Sequence, residues 1–205
     1  MRDDTINDYL DKLAERTAAP AGGATAALNA AQAAALLAMS ARYCDGPVHA
    51  ERREMIERVV TEAEQLRHAC IALMVADGES YHGVMAAYQL AKETAEQRTA
   101  RAAAIAAALA TAAGPPAEVI GAAARLLDMA QSLQPIVNRS IAPDVAAAVE
   151  AIRAAIGVSR TNIEANLAGM TDPTARDRLT RVIADVPALE ATAGQVIAAV
   201  RARYA

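Results

Sequence analysis

Residues 24–43 read ATAALNAAQAAALLAMSARY, and this stretch decides the fold. Its apolar residues do not keep to one side of a helix. They run nearly all round it, broken only by Thr25, Asn29, Gln32, Ser40 and the closing Arg42-Tyr43. A helix that is apolar on every side belongs at the centre of a bundle or of a dimer. Alanine is the strongest helix former, but it brings little volume. A core built on it must therefore pack backbones close together. Sheets draw instead on β-branched and aromatic residues, and no segment here collects them over strand length.

The same pattern extends outward. The chain has 205 residues, is 54% apolar, and holds five Tyr but no Phe or Trp. Upstream, a short helix is expected over residues 4–13, with Ile6, Tyr9, Leu10 and Leu13 on one face. A loop, Thr17 to Gly23, precedes the alanine-rich helix. Downstream, Asp45-Gly46-Pro47 breaks it. A long amphipathic stretch then runs from about Ala50 to Ala76 and onward toward Leu90. Thr94-Ala95-Glu96-Gln97 has the form of a capping box opening the next helix. Gly114-Pro115-Pro116 stops that helix and starts another, which ends near Pro135. Pro143 suits the first turn of a helix reaching about Leu167. Gly169 to Pro173 is a turn, and one final helix fills most of the remainder. Residues 1–205 contain no repeat, linker or composition shift, and they read as one domain. The expected fold is all-α, an antiparallel multi-helix bundle that forms a homodimer through its alanine-rich helices.

Several function classes are set aside by composition. The net charge is −4 and Lys and Arg are not clustered, which argues against a nucleic-acid partner. The apolar runs are interrupted by polar residues before about 18 accumulate, so no membrane span is expected. The acidic start, Met1-Arg2-Asp3-Asp4, lacks the apolar region of a signal peptide. Cys44 and Cys70 read as buried free thiols in a reducing, cytoplasmic setting. His49, His68 and His82 have no metal-ligand partners at useful spacing, so neither a metal nor a cofactor is expected.

Three segments carry residues suited to chemistry. The first is Pro20-Ala21-Gly22-Gly23-Ala24-Thr25. Glycines there let a ligand approach the backbone, and a helix N-terminus offers free N–H groups; taken alone, the segment reads first as a tight turn that lets two helices cross. The second is Asp77-Gly78-Glu79-Ser80-Tyr81, followed by Tyr88-Gln89-Leu90-Ala91-Lys92. Asp77 has the chemistry of a general acid or base and Lys92 suits an anion, although both also read as solvated surface charges. The third is Asn138 to Asp144, with Asn162 and Asn166 beyond. A helix macrodipole by itself accounts for an acid in a first turn such as Asp144. Asn162 and Asn166 are four apart and share a helix face, where asparagine is a poor helix former and, if buried, requires partners.

In this order the segments resemble the cyclodeaminase/cyclohydrolase family of folate enzymes. That family carries an early Pro-Gly-Gly-Gly loop before an Ala-rich helix, matched by Pro20 to Ala24 with Met39 following. Its Asp-x-x-Ala-Phe/Tyr, Val-Met and Leu-Pro-Lys elements correspond to Asp77 to Tyr81, Val84-Met85 and Leu90-Ala91-Lys92. Arg101 and Pro116 follow in step. Its Gly-Asn-x-Asn-x-x-Ser-Asp and Asn-Val-x-x-Asn elements correspond to residues 137–144 and 162–166. Ala21, Ala24, Ala91, Val137, Ser140 and Pro143 depart from the pattern. So does the segment after the first long helix, which lacks the family's lysines.

The resemblance implies a helical homodimer with its substrate cleft near the subunit interface. It also implies addition to, or elimination from, a one-carbon amidine bridge. The expected activity is that of a methenyltetrahydrofolate cyclohydrolase or formiminotetrahydrofolate cyclodeaminase, with a tetrahydrofolate derivative as substrate rather than cofactor. Asp77, Asp144 and Lys92 take the catalytic positions. Gly22, Gly23, Tyr81, Arg101, Asn138, Asn162 and Asn166 bind substrate. Two other readings stay open at this point. One is the same scaffold with a modified cleft, acting on a non-folate heterocycle or amidine. The other is a non-catalytic helical dimer that binds a ligand or a protein.

Overall fold

The computed structural model of the protein describes residues 3–44 and 46–205. Among the described residues every regular element is helical: α1 (Ile6–Ala14), α2 (Gly22–Arg42), a 3-10 turn (Pro47–Arg52), α3 (Arg53–Tyr88), α4 (Ala95–Ala112), α5 (Gly114–Leu133), α6 (Ala142–Gly169), α7 (Pro173–Ala184) and α8 (Val186–Ala202). The alanine-rich helix is the axis of the bundle, with α2 packed mainly against α3 and α6 and also touching α5. Ala24, Ala30, Ala33 and Ala34 are fully enclosed. The volume that α2 lacks comes from its neighbours. Leu126, Leu127 and Leu133 of α5 and Ile152, Ile156 and Ile163 of α6 have no exposed surface. Each such side chain contributes on the order of 1.5–3 kcal/mol of burial.

The first half of α3 belongs to this main core through Ile56, Val59, Ala63, Leu66, Cys70 and Met74. Its second half leaves the core and pairs with α4 around a small separate cluster of Val84, Leu109 and Ala112. At 36 residues, α3 is about 54 Å long, so it can serve both. Cys44 and Cys70 are buried free thiols.

Local signals set the boundaries. Thr94 accepts from the Gln97 amide, and the Gln97 side chain accepts from the Thr94 amide at 3.1 Å, which closes the expected capping box. Thr5 and Asp8 form a second one at α1. Gly114-Pro115-Pro116 turns the chain through Ala113 alone between α4 and α5. Asp45 of the expected break lies outside the described residues; the flanking residues confirm that α2 has ended by Tyr43.

Two expectations are corrected. The glycines at 22 and 23 do not precede α2 but form its first turn, where backbone N–H groups need no intrahelical partner. The single helix expected after Pro173 is two, α7 and α8, divided at Asp185. Pro187 explains the break, because its ring would meet the carbonyl of Ile183 in a continuous helix.

By length and composition alone, three stretches are apolar enough to cross a membrane: Gly22–Arg42, Ala95–Leu133 and Pro173–Ala202. The first is the enclosed axis of the bundle. The other two are each interrupted by proline, at the α4–α5 and α7–α8 junctions.

If close approach to α2 holds the core together, added volume on its buried side is penalised. Ala34→Leu should lower stability by about 1–3 kcal/mol through overpacking. Ala35→Leu, one residue on but exposed, should stay within about 0.5 kcal/mol of the parent. Chemical denaturation of the two variants makes the comparison.

Candidate functional site

Four helices meet where α2 begins. The first turn of α2, the middle of α3, the end of α4 and the last two turns of α6 enclose a half-open cavity of about 250 Å³. Ala21, Gly22 and Gly23 form one wall; Asp77, Ser80 and Tyr81 form another; Asn162, Ala165 and Asn166, with Ala112, complete it.

Asp77 is the centre of this arrangement. The residue before α2, Ala21, has no side chain able to cap the helix. Asp77 reaches across from α3 toward that end, where the Ala24 amide favours its charged form. Its carboxylate lies so close to Gly23 that a Cβ on residue 23 would sit 2.0 Å from Oδ1 and 2.5 Å from Oδ2. Glycine is required here by proximity and not by backbone conformation. Burial raises the Asp77 pKa above its ordinary value, and the Ala24 amide pulls in the other direction. The positive end of the α2 dipole favours the same anion. The result is a half-buried carboxylate with no countercharged side chain beside it among the described residues.

The two carboxamides opposite come from the spacing of α6. Asn162 and Asn166 are four residues apart on one face and both are half-buried. Tyr81, 43% exposed, stands at the mouth. Of the residues assigned to a site from the sequence, the structure therefore brings together Gly22, Gly23, Asp77, Tyr81, Asn162 and Asn166.

The others stand apart within one chain. Asp144 lies in the first turn of α6, about 27 Å along the helix axis from Asn162 at 1.5 Å per residue. Asn138 is in the turn before it, where its Oδ1 accepts from the Ser140 hydroxyl at 2.9 Å and the Ile141 amide at 3.3 Å. That turn is clasped by Arg203, which donates to the carbonyls of Gln134 and Val137, and by Tyr204, which donates to the carbonyl of Arg139. Lys92 is exposed in the connection between α3 and α4. Arg101 donates to the Tyr88 carbonyl at 2.9 Å and stacks over the Tyr88 ring at 5.5 Å, so its guanidinium secures the end of α3.

Sequence reasoning gave no role to Ser80, Ala112 and Ala165, which also line the cavity. Only Ser80 carries a signal, three residues after Asp77 on the same face; its hydroxyl donates to the Asp77 carbonyl at 2.9 Å. A roomier cavity of about 600 Å³ lies at the other end of α2, lined by Arg42, Cys44, His49, Arg53 and Glu57 among others. Among the described residues it is lined by no carboxamide.

A helical scaffold that sets a half-buried carboxylate against two carboxamides in a small cleft is built for a small polar molecule. The chain belongs to the formiminotransferase-cyclodeaminase family, whose family model matches residues 5–185. It is 31% identical over 170 residues to the methenyltetrahydrofolate cyclohydrolase of Methylorubrum extorquens, covering 82% of each chain. It is 26% identical over 179 residues to the formimidoyltransferase-cyclodeaminase of Mus musculus, of which it spans 33%. Its fold matches the crystal structure of a formiminotetrahydrofolate cyclodeaminase from Thermotoga maritima with a TM-score of 0.88 at 24% identity, covering 99% of this chain and 98% of that one.

The raised Asp77 pKa has a definite sign in stability. Burial penalises the charged form, so the stability present at low pH, with Asp77 protonated, is lost as the pH rises through the raised value. Asp77→Asn should therefore be at least as stable as the parent at neutral pH. The difference should vanish below the ordinary aspartate value of 3.8. Thermal melts from pH 3 to 8 test this (about the range where carboxylates titrate), and a variant less stable at pH 7 than at pH 3, relative to parent, contradicts it.

Proposed function

We propose that this chain hydrolyses the methenyl bridge of methenyltetrahydrofolate, with Asp77 as the proton-handling group. One observation carries the reading: the Asp77 carboxylate is half-buried against Gly23 at the start of α2 and opens into a cleft shared with Asn162 and Asn166. The relative that matches over the same share of both chains is a methenyltetrahydrofolate cyclohydrolase. Among the residues that depart from the family pattern, only Ala21 lines the cavity.

The chemistry follows from the charges. The methenyl carbon sits between two nitrogens and carries a delocalised positive charge. A carboxylate beside it stabilises that cation and accepts a proton from the attacking water. The new C–O bond gives a tetrahedral carbon. One C–N bond then breaks, its electron pair leaves with the nitrogen, and the carbon becomes a formyl group. One water is consumed and one proton released. Asn162 and Asn166 hydrogen-bond the ring edge and the developing hydroxyl. The same cleft suits the related closure of a formimino group with loss of ammonia, which also passes through a tetrahedral carbon between heteroatoms.

The reading includes a homodimer. Tyr81, Met85 and Tyr88 are exposed at i, i+4 and i+7 on α3, beside the mouth of the cavity, with Leu90 beyond. Asp144, in the first turn of α6, and Asn138, in the turn before it, lie too far from the cleft at the other end of that helix to reach it, and in this proposal they serve the cleft of a second copy.

Loss of the near-ultraviolet absorbance of methenyltetrahydrofolate follows the reaction directly. The parent should accelerate it over buffer, and activity should rise with pH through the elevated Asp77 value, because the base must be ionised. Asp77→Asn should reduce turnover by about a hundredfold or more, and Gly23→Ala should do the same by displacing the carboxylate. A parent protein no faster than buffer removes the proposal. For the dimer, Asp77→Asn and Asp144→Asn proteins, each inactive alone, should recover about a quarter of parental activity after subunit exchange. Half the dimers are then hybrids, each with one intact site of two. No recovery places Asp144 outside the shared cleft.

A further inference from the structure

Ser159 of α6 is fully buried, and its hydroxyl has no hydrogen-bond partner among the described residues. Within this molecule that is exceptional. The hydroxyls of Ser40, Thr99, Ser132 and Thr192 each donate to the carbonyl four residues back. Thr161 does so two residues further along α6 itself, at 3.1 Å. Ser159 forgoes the equivalent bond to Ala155. Leaving a buried hydroxyl unsatisfied costs about 1–3 kcal/mol. Alanine would avoid the cost, and α6 uses it at the enclosed positions 148 and 155.

The place of Ser159 suggests what the hydroxyl is for. Ser159, Asn162 and Asn166 stand at i, i+3 and i+7, which puts them on one face of the helix. Asn162 and Asn166 line the cavity, and Ser159 lies one turn beneath Asn162, about 4.5 Å lower along the axis. The neighbouring Val158 supports the first turn of α2: a Cβ built on Gly22 would be 3.7 Å from its Cγ1. Ser159 therefore sits under the floor of the cleft, below its carboxamides and close to where α2 begins.

We propose that Ser159 is a positioning residue of the cleft. Its hydroxyl holds one internal water that hydrogen-bonds the carboxamide of Asn162 and fixes which end of that group faces the substrate. Two hydrogen bonds of about 2.8 Å through a water oxygen span the offset of one helical turn. A bridging water satisfies both groups nearly as well as a direct bond. The carboxamide has a donor end and an acceptor end of similar shape, so without such an anchor it is free to present either.

The effect on catalysis rests on the cyclohydrolase reading above; the water does not. Ser159→Ala should fold with a thermal midpoint somewhat below that of the parent, because a satisfied buried hydrogen bond is lost, and its kcat for methenyltetrahydrofolate hydrolysis should fall about tenfold or more. A residue with only a packing role would lower the midpoint and leave kcat unchanged, and unchanged kcat in the variant of an active parent overturns the proposal. The second arm is a crystal structure of the unsubstituted protein resolving ordered water. A water within about 3.2 Å of both Ser159 Oγ and the Asn162 carboxamide is expected. A dry hydroxyl, or one turned back onto the Ala155 carbonyl, overturns the proposal even if the parent proves active. An inactive parent that nevertheless shows the bridging water leaves the positioning role standing and rejects the assigned reaction alone.

Discussion

Close approach of the α2 backbone to its neighbours is the constraint on which the rest of this molecule depends. With alanine on nearly every side, α2 can be surrounded by α3, α5 and α6 at short range. The larger Leu and Ile side chains of α5 and α6 supply the interior volume that it lacks. Interiors at close-packed density transmit small changes of volume directly into strain, so the exchange of small for large is specific to each position. At its first turn the same closeness becomes chemistry. The missing Cβ of Gly23 is what admits the Asp77 carboxylate, and the missing cap at Ala21 is what leaves backbone N–H groups for it to meet.

The cleft is assembled from features that oppose stability. A carboxylate is half-buried against a helix terminus with no cation beside it among the described residues, two carboxamides are drawn out of water, and a serine hydroxyl beneath them has no partner among those residues. Groups of this sort are concentrated where a fold does work, and the large apolar core around α5 and α6 offsets what they cost. The division of α3 is part of the same design. Its first half is anchored in that core and its second half rests on α4 through a much smaller cluster. Asp77, Ser80 and Tyr81 lie at the transition, on a helix whose rigid end determines where the carboxylate points.

Much of this was legible in the sequence, for physical reasons that differ from residue to residue. An alanine run without a polar face has only one comfortable environment, so α2 declared itself as the axis. The hydrogen bonds of the Thr94–Gln97 box are local, so their spacing was sufficient. Asn162 and Asn166 shared a face by periodicity alone. Other features depend on contacts that spacing does not encode. Nothing in the order of residues says that Arg101 is committed to the Tyr88 carbonyl or that Asp77 closes on Gly23 from another helix, whereas the separation of Asp144 and Asn162 along one helix, about 27 Å, follows from their spacing alone. Pro187 is a legible break, but the apolar residues on either side of it continue the helical pattern and mask it. The glycines at 22 and 23 looked like a loop because glycine disfavours helix interiors, whereas a first turn makes no such demand.

The enclosed alanines of α2 also limit how this protein can change over generations. A residue whose side chain is a single methyl group can only grow, or shrink to glycine at roughly 1 kcal/mol of helix stability. Serine is the one modest enlargement on view, at Ser40, where the hydroxyl is absorbed by the Leu36 carbonyl. Drift along the axis is accordingly confined to a very short alphabet, and divergence among chains of this build has to accumulate on the outer faces of the surrounding helices and in the few side chains that line the cleft.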